Sequence, residues 1–154
     1  VNEFFENGKD QVEIFIKTNV GENENKLTQI ASGGEMSRIM LAIKKVLAEV
    51  DRMPIMIFDE IDTGISGKAA KSVANKLKTI SKNHQVLCIS HLAPIAAIAD
   101  YNYFISKKVH NERTSTEIKL LDEQEVLYEI ARISSGEVNE VTLKYASELR
   151  NKIA

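Results

Sequence analysis

The chain has 154 residues, and its 44% hydrophobic content is enough for about one domain with a buried core. Charged residues make up 27% of the sequence and the formal net charge is −2, which argues against a broad basic face for nucleic acid. No apolar run approaches the roughly 20 residues of a membrane span, and no secretory signal is visible, so we expect a cytoplasmic protein with no membrane partner. The single cysteine, Cys88, lies in an apolar run and is expected to be a reduced structural thiol. The chain starts at Val1 instead of methionine, and we interpret it as a piece of a larger protein.

The first predicted elements are a strand, a loop and a long helix. Apolar and polar side chains alternate over residues 12–16, which predicts a strand with one buried face. Residues 19–26 are mostly polar and are expected to form a loop. Apolar positions then keep helical spacing from Glu35 to Val50, and Pro54 ends this helix because proline disfavours helical geometry in the residue before it.

The middle of the chain predicts a βαβ unit. Residues 55–58 and 86–89 are continuous apolar runs, typical of parallel strands buried on both faces. Between them, Ser66 is a suitable cap for a helix that runs to about Ser81. One side of this helix is expected to carry its core residues, Ala70, Val73, Leu77 and Ile80.

The last third predicts three helices and a hairpin. A short helix begins near Pro94 and ends at Ile98, and two strands at 101–107 and 116–121 are expected to form a hairpin at the sheet edge. Asp122 can cap a helix that residues 134–136 close. A final amphipathic helix is predicted over 138–153, with a stripe formed by Val138, Val141, Tyr145, Leu149 and Ile153.

Two carboxylates follow the first apolar strand. Asp59 and Glu60 are expected at its carboxyl end, where open α/β sheets place their ligands. One carboxylate there can hold Mg²⁺, usually through water, and the other can orient and deprotonate a water that attacks a phosphate. A solvated strand end with two incidental acids is the alternative interpretation.

A histidine follows the second apolar strand. The His91 ring is expected to open onto the same crevice as Glu60, where a neutral imidazole could donate to a terminal phosphate or hold the attacking water. A loop histidine that is satisfied by backbone is the alternative. His84 and His110 lie in polar turns and receive no role, and no zinc-site spacing or serine triad is present.

The tetrad Ser32-Gly33-Gly34-Glu35 precedes the long amphipathic helix. Ser-x-x-Glu at this point predicts a capping box, in which the two side chains satisfy backbone donors reciprocally. Two glycines also bring bare backbone N–H groups to the positive end of a helix, which suits an anion such as phosphate.

The order of these motifs resembles the second half of an ATP-binding-cassette (ABC) head. Residues 30–42 look like the signature region of the RecN family of bacterial DNA-repair ATPases, and residues 58–67 look like its Walker B motif and D-loop. The resemblance continues through 90–92 and 96–100 and covers most of residues 27–135. Ala93-Pro94 departs from the Pro-Gln expected after His-Leu in this family. The family belongs to the SMC-like ATPases, which have globular heads on a long antiparallel coiled coil.

The resemblance implies a role for each motif residue. Ser32-Gly33-Gly34-Glu35 would contact the γ-phosphate of ATP bound on an opposing head. Asp59 would hold Mg²⁺ through water, and Glu60 would be the general base. Asp62 would lie in the D-loop at the head–head interface, and His91 would be the switch histidine. ATP and Mg²⁺ are the cofactors implied.

One part of such an ATPase does not occur in the sequence. No Gly-x-x-x-x-Gly-Lys-Ser/Thr loop (Walker A) is present, since Gly67-Lys68 is followed by Ala69, and no heptad run long enough for a coiled-coil arm is present. We therefore interpret residues 1–154 as a single domain, the carboxyl-terminal half of an ABC-type head. The expected fold class is α/β, a partial P-loop NTPase with mainly parallel core strands, an edge hairpin and flanking helices.

The resemblance also implies a biological setting. The complete protein would be an SMC-like ATPase in DNA double-strand break repair and recombination, associated with the bacterial nucleoid. Its partners would be a second head, its own amino-terminal half and coiled coil, and DNA. The segment alone is expected to bind ATP weakly and not to hydrolyse it. Two alternatives are a non-catalytic interaction module and a magnesium-dependent phosphohydrolase built on Asp59 and Asp62. The second would need a nucleophile or a further carboxylate near the strand ends, for which Asp100 is the only, weak candidate.

Overall fold

A computed structural model describes residues 8–17, 20–21, 23–29, 32–47, 53–110 and 113–153. The strands are β1 (Phe15–Ile16), β2 (Asn25–Lys26), β3 (Ile55–Phe58), β4 (Gln85–Cys88), β5 (Tyr103–His110) and β6 (Arg113–Leu120). The helices are α1 (Gly33–Leu47), α2 (Gly67–Ile80), α3 (Ala93–Ile98), α4 (Glu123–Ser135) and α5 (Glu140–Ile153), and a 3₁₀ turn covers Leu27–Gln29. Within these residues no helix has the length and apolar character to cross a membrane.

The predicted βαβ unit is confirmed. Strands β3 and β4 pair in parallel from Ile55↔Gln85 to Phe58↔Cys88, and α2 connects them. The ladder continues past β4, because the Ile89 N–H donates to the Phe58 carbonyl at 3.0 Å. This register brings the residues that follow β3 and β4 to the same edge of the sheet.

The main core lies on one side of this unit. Helix α2 buries the face predicted for it, and Ser66 occupies its N-cap position, although the serine side chain makes no capping hydrogen bond. Residues of α1, β3, the turn after β3, α2 and α3 form one apolar cluster, which consists of Leu41, Met56, Phe58, Ile61, Val73, Ala74, Leu77, Ile80, Ile95 and Ile98. The partly buried β4 residues Val86 and Cys88 pack against it.

The prediction that both faces of the strands are buried is wrong for the described residues. Met56 and Phe58 point toward the helices and are 6% exposed, whereas Ile57 is 72% exposed. Leu87 and Ile89 of the second run are likewise exposed. Successive side chains of a strand point to opposite faces, and only the face under α1, α2 and α3 is covered here. The other face of the β3–β4 pair is an open apolar surface.

The amino-terminal strand is shorter than predicted. Strand β1 has two residues and pairs antiparallel with β2, which lies inside the predicted loop. Val12 is 80% exposed and Ile14 is 53% exposed, so the expected buried face does not form. Alternation produces a buried face only where a second layer packs on it, and no such layer is present among the described residues. The predicted end of the first helix, near Val50, lies outside the described residues.

The predicted hairpin is present and longer than expected. Strands β5 and β6 pair from Tyr103↔Leu120 to His110↔Arg113, so the connecting loop is shorter than the predicted one. In the described part of the chain these strands form their own two-stranded sheet, and the expected position at the edge of the β3–β4 sheet is not observed.

The carboxyl-terminal helices pack in a second cluster with α3. Asp122 and Glu125 form a complete capping box at the start of α4, and Gly136, with φ of 79°, ends this helix as predicted. In α5, however, Ala146 and Leu149 are buried while Val141 and Tyr145 of the predicted stripe are exposed. The small side chain of Ala146 allows close helix packing, and this rotates the contact seam away from the larger residues.

Candidate active site

Helix α1 begins at the glycine pair. The Ser32 hydroxyl accepts from the Glu35 N–H at 3.4 Å, and the Ser32 carbonyl accepts from the Met36 N–H at 3.0 Å. The return bond of a capping box, from the Ser32 N–H to the Glu35 carboxylate, is not present between these two described residues. The structure therefore contains half of the predicted box, and Ser32 lies at the positive end of a 15-residue helix.

The chain reverses direction directly after β3. Asp59 accepts a hydrogen bond from the Glu60 N–H through Oδ1 at 2.8 Å, and the Glu60 carbonyl accepts from the Thr63 N–H at 3.0 Å. Glu60 has φ of 56°, a left-handed conformation that costs free energy for any residue with a Cβ. Such outliers cluster at functional sites, and this one directs the glutamate at the strand end toward the start of α1.

The two glycines allow α1 to approach this turn closely. A Cβ on Gly33 would lie 2.5 Å from Glu60 Oε2, so the Glu60 carboxylate rests against the first residue of the helix. A Cβ on Gly34 would lie 2.9 Å from the Glu60 carbonyl oxygen and 2.9 Å from the Thr63 Cβ. The predicted anion-binding turn and the predicted base are therefore neighbours within one chain.

Two further residues of α1, which the sequence did not indicate, hold this arrangement. The Ser37 hydroxyl donates to the Asp59 carbonyl at 2.7 Å. Arg38 Nη1 donates to the carbonyls of Ile61 at 3.2 Å and Thr63 at 2.7 Å. Both follow the glycines by one helical turn and so lie on the same side of α1, but their partners are backbone carbonyls, which no residue pattern identifies.

The Asp62 side chain, which follows β3, is buried and accepts hydrogen bonds from residues that follow β4. Its side chain is 3% exposed, and its Oδ2 accepts from the Ser90 hydroxyl and from the His91 N–H, both at 2.7 Å. His91 Nδ1 lies 3.0 Å from the same oxygen, while the histidine side chain is 73% exposed. The predicted role of Asp62 in contacts with another head stays a prediction, and within this turn Thr63 and Gly64 are the exposed residues.

The pKa of the Cys88 thiol, at the end of β4, is raised by its surroundings. Burial raises the pKa of its thiol to about 12, and the nearby charges of Asp62 and Asp59 contribute in the same direction. The half-buried thiol packs against the main core, which agrees with the structural role predicted for it.

Three residues that received no role, or a weak one, lie apart from this cluster. His84 is buried and its Nδ1 lies 2.7 Å from the Met53 carbonyl, while Nε2 is buried without a hydrogen-bond partner. Asp100 is exposed and lies 3.7 Å from the Lys78 ammonium group. The side chain of His110 lies outside the described part of the chain.

Comparison with known proteins identifies relatives of this chain, although no family model matches it. The chain is 48% identical over 147 residues to the DNA repair protein RecN of Halalkalibacterium halodurans, covering 95% of this chain and 26% of the relative. It is 45% identical over 145 residues to RecN of Bacillus subtilis, covering 94% and 25%. RecN of Deinococcus radiodurans is 43% identical over 142 residues, with 92% and 25% covered. The chain therefore spans about a quarter of the length of the curated relatives it matches.

A solved structure shares the fold. It comes from work on the structural biochemistry of ATP-driven dimerization and DNA-stimulated activation of SMC ATPases, and the TM-score is 0.52 at 22% identity. The match covers 84% of this chain and 76% of the other. The likeness is one of fold, and it confirms the predicted α/β fold class. By sequence, this chain is similar to a segment that makes up about a quarter of the DNA repair protein RecN, and by fold it is similar to part of an SMC ATPase structure.

Proposed function

We propose that this segment supplies groups to the two ATP-hydrolysing sites that form between two heads of a complete RecN-type protein. Its carboxylates act on the nucleotide of its own head, and its α1 start acts on the nucleotide of the opposing head. The observation that carries the proposal is the close approach of the α1 start to the turn after β3. Gly33 lies against the Glu60 carboxylate, and Ser37 binds the Asp59 carbonyl. A helix start suited to an anion and two carboxylates suited to water and metal are thus held together in one chain.

Glu60 is the general base in this proposal. It directly follows β3, its side chain is exposed, and its carbonyl accepts the hydrogen bond from the Thr63 N–H that closes the turn. An exposed carboxylate at this position can accept a proton from a water that attacks a phosphate. His91, at the end of the neighbouring strand, holds that water or the terminal phosphate.

Asp59 fits a magnesium ion held through water. Its side chain is exposed, and Oδ1 is engaged by the Glu60 N–H, which leaves the second carboxylate oxygen for a hydrated cation. Among the described residues no cluster of three or more metal-ligating side chains is present. This donor set suits Mg²⁺, which commonly binds one or two carboxylates together with water and substrate phosphates. When bound, the ion would neutralise the charge that develops on those phosphates.

Ser32, Gly33, Gly34 and Glu35 serve the nucleotide of the opposing head. The helix start offers N–H groups and a positive dipole end to an anion, yet the sequence holds no phosphate loop that would bind ATP on this segment. A turn that completes a partner's site accounts for both facts. Asp62 and its exposed neighbours Thr63 and Gly64 would lie near the interface with that partner.

The open apolar face of the β3–β4 sheet supports the proposal that another half-domain covers it. Ile55, Ile57, Leu87 and Ile89 form an exposed apolar surface on two adjacent strands, of the kind that α/β domains cover with another layer. We propose that residues 1–154 form the carboxyl-terminal half of a head, and that the amino-terminal half, with the phosphate loop and a coiled coil, covers this face. DNA double-strand break repair and recombination, in the bacterial nucleoid, is the role proposed for the complete protein.

The test of the base is Glu60→Gln in the complete protein. The amide cannot accept the proton, so we expect turnover to fall by a factor of about 10² to 10⁴ while ATP remains bound and the paired heads persist. ATP hydrolysis and the lifetime of the dimer are measured together. The matched control is Glu140→Gln, which changes an exposed acid in the first turn of α5, outside the candidate site. A normal rate of hydrolysis in Glu60→Gln would exclude Glu60 as the base.

The purified 154-residue segment is expected to be inactive. It lacks the phosphate loop, so we expect weak ATP binding and no hydrolysis above background. Turnover by the segment that disappears in Glu60→Gln would contradict the division of the site between halves. The alternative of a phosphohydrolase built on Asp59 and Asp62 is less well supported, because Asp62 is buried against Ser90 and His91.

A further inference from the structure

The outer side of α2 carries positive charge without negative charge. Residues 67–82, which comprise α2 and the two residues after it, contain no aspartate or glutamate. The same segment contains five lysines, Lys68, Lys71, Lys76, Lys78 and Lys82. The whole chain has a formal net charge of −2, so acids elsewhere in the sequence offset these lysines. A narrow basic surface is therefore present in a chain whose overall charge gives no sign of it.

Four of the five lysines share one side of the helix. Positions 68, 71, 75, 78 and 82 follow each other in steps of three and four residues, which places them in one row along an α-helix. The Ser81 N–H still donates to the Leu77 carbonyl, so helical geometry continues to the end of this row. The row lies on the side opposite the buried residues of α2 and is about 20 Å long. We call Lys68, Lys71, Asn75, Lys78 and Lys82 the α2 lysine row.

Within the described residues, one lysine of the α2 lysine row has an acidic neighbour. Lys78 lies 3.7 Å from the Asp100 carboxylate and is 33% exposed, and the other members of the row are exposed without an ion pair. The surface helix α4 differs, because its Arg132 pairs with Glu129 of the same helix at 2.6 Å. Most of the positive charge of the row is thus available to a partner.

The distribution of charge along α2 opposes the stability of the helix itself. Its first turn contains Lys68 and no acidic residue, and a cation at this end interacts unfavourably with the helix dipole. Lys68 and Lys71 are three residues apart, and Lys78 and Lys82 are four apart, so both are like-charge pairs on one side of a helix. Because this arrangement does not favour the fold, its presence in one exposed row indicates a binding role.

We propose that the α2 lysine row binds the phosphate backbone of duplex DNA. The choice of DNA rests on the proposed function, whereas the choice of phosphate rests on the charges of the row. Phosphates of one strand follow each other about every 3.4 Å along the duplex, so a row of about 20 Å faces about six of them. Asn75 adds an amide donor, which is a common partner of phosphate oxygens.

Two other anionic partners fit the row less well. Proteins that bind single strands stack the bases on aromatic side chains, and α2 has none. A helix that lies on an anionic membrane inserts an apolar side, whereas the apolar side of α2 is buried in the main core. Contacts to the backbone carry no sequence information, so we expect binding without sequence preference.

Salt titrations of DNA binding by the complete protein test this proposal. The probe is a fluorescently labelled duplex of mixed sequence, and its anisotropy is recorded without ATP over a range of KCl concentrations. The test variant combines Lys68→Gln, Lys71→Gln and Lys82→Gln and leaves the Lys78–Asp100 pair in place. We expect the slope of log Kobs against log salt to be less steep by about 2 to 3, and the affinity at about 0.15 M salt to fall by about 10- to 100-fold.

A second triple variant is the matched control. Lys107→Gln, Lys144→Gln and Lys152→Gln remove three exposed lysines from β5 and α5, so the net charge changes equally on other elements. Its slope should equal that of the wild type. Arginine at positions 68, 71 and 82 keeps the charge and should also keep the slope, and thermal melts verify that each variant is folded.

Three results would overturn the proposal. They are a complete protein that does not bind the duplex, a wild-type slope in the glutamine variant of the row, and equal effects of the two glutamine variants. A glutamine variant of the row that loses binding only to the single strand, or only to vesicles of phosphatidylserine and phosphatidylcholine, would assign another partner and also overturn it. The assay contains no ATP, so a failure of the proposed base, Glu60, would leave this result unaffected.

Discussion

The two glycines at the start of α1 meet different kinds of atoms, which predicts different outcomes of substitution by alanine. At Gly33 the new Cβ meets Glu60 Oε2 at 2.5 Å, the end of an exposed, flexible side chain that can rotate away. At Gly34, which is buried, it meets the Glu60 carbonyl oxygen at 2.9 Å and the Thr63 Cβ at 2.9 Å. Those atoms belong to the turn that Arg38 fixes, so the backbone itself must move.

The magnitudes follow from two opposing contributions. Alanine is preferred to glycine in a helix interior by about 1 kcal/mol, and by less in the first turn. Overpacking a close contact costs about 1–3 kcal/mol, and this cost applies to Gly34→Ala because rigid atoms are in the way. We therefore expect Gly34→Ala to lower the free energy of unfolding by about 1–2 kcal/mol, or Tm by about 2–8 °C. Gly33→Ala should be neutral or slightly stabilising.

Urea unfolding of the segment, followed by circular dichroism at 222 nm, measures this difference. Gly33→Ala is the matched control, since the two variants add the same methyl group to adjacent residues of one helix. In the complete protein, Gly33→Ala should still lower kcat, because the Glu60 carboxylate must leave its position to admit the methyl group. A midpoint for Gly34→Ala equal to or above that of Gly33→Ala would refute the close approach of α1 to the turn.

Three further predictions concern stability and reactivity. Arg38→Ala should lower the free energy of unfolding by about 2 kcal/mol in urea titrations, because two backbone carbonyls lose a charged donor, and Arg38→Lys should lower it less. Asp122→Ala should cost about 1 kcal/mol in the same assay through loss of the capping box, and Asp122→Asn, which retains a capping oxygen, should cost little. Cys88 should react slowly with a disulfide reagent at about pH 8 in the folded chain and rapidly in urea, because the folded pKa is about 12 against an ordinary 9.0. By the same linkage, stability should fall as the pH rises from 9.0 toward 12, where only the unfolded chain ionises the thiol, and Cys88→Ala should remove that part of the decline.

Local patterns were sufficient to predict most elements of the fold. The apolar runs at 55–58 and 86–89, the helix between them and the cap at Asp122 depend on interactions within a few residues, and each is present. The motif residues Asp59 and His91 were also found at the strand ends where the βαβ pattern predicted them. Strand-end positions follow from topology, which the order of the elements already contains.

Contacts between distant segments could not be predicted in the same way. The Asp62 side chain is buried because the Ser90 hydroxyl and the His91 N–H, from a distant segment, donate to it. Arg38 donates to backbone carbonyls, and because every residue has a carbonyl, the sequence does not show which ones it contacts. The burial of Ile57 was overestimated. A continuous apolar run indicates that both faces of a strand are apolar, but it does not indicate whether helices or other strands pack on both faces. The α5 stripe was partly right: Leu149 is buried as predicted, but packing placed the small residue Ala146 in the core and left the larger Val141 and Tyr145 exposed.

In the proposed mechanism, Ser32 acts on the nucleotide bound to the opposing head, whereas Glu60 acts on the nucleotide bound to its own head. Complete proteins with Ser32→Arg or with Glu60→Gln should each be inactive alone, because every site of each dimer carries a lesion. When the two variant proteins are mixed one to one, about half of the dimers contain one subunit of each variant. In those dimers one of the two sites combines an intact Ser32 with an intact Glu60, and the other site carries both substitutions. We expect the mixture to recover about a quarter of the wild-type ATPase rate if subunits exchange freely and the sites act independently. A mixture as inactive as its components, with exchange verified by a labelled subunit, would contradict the account.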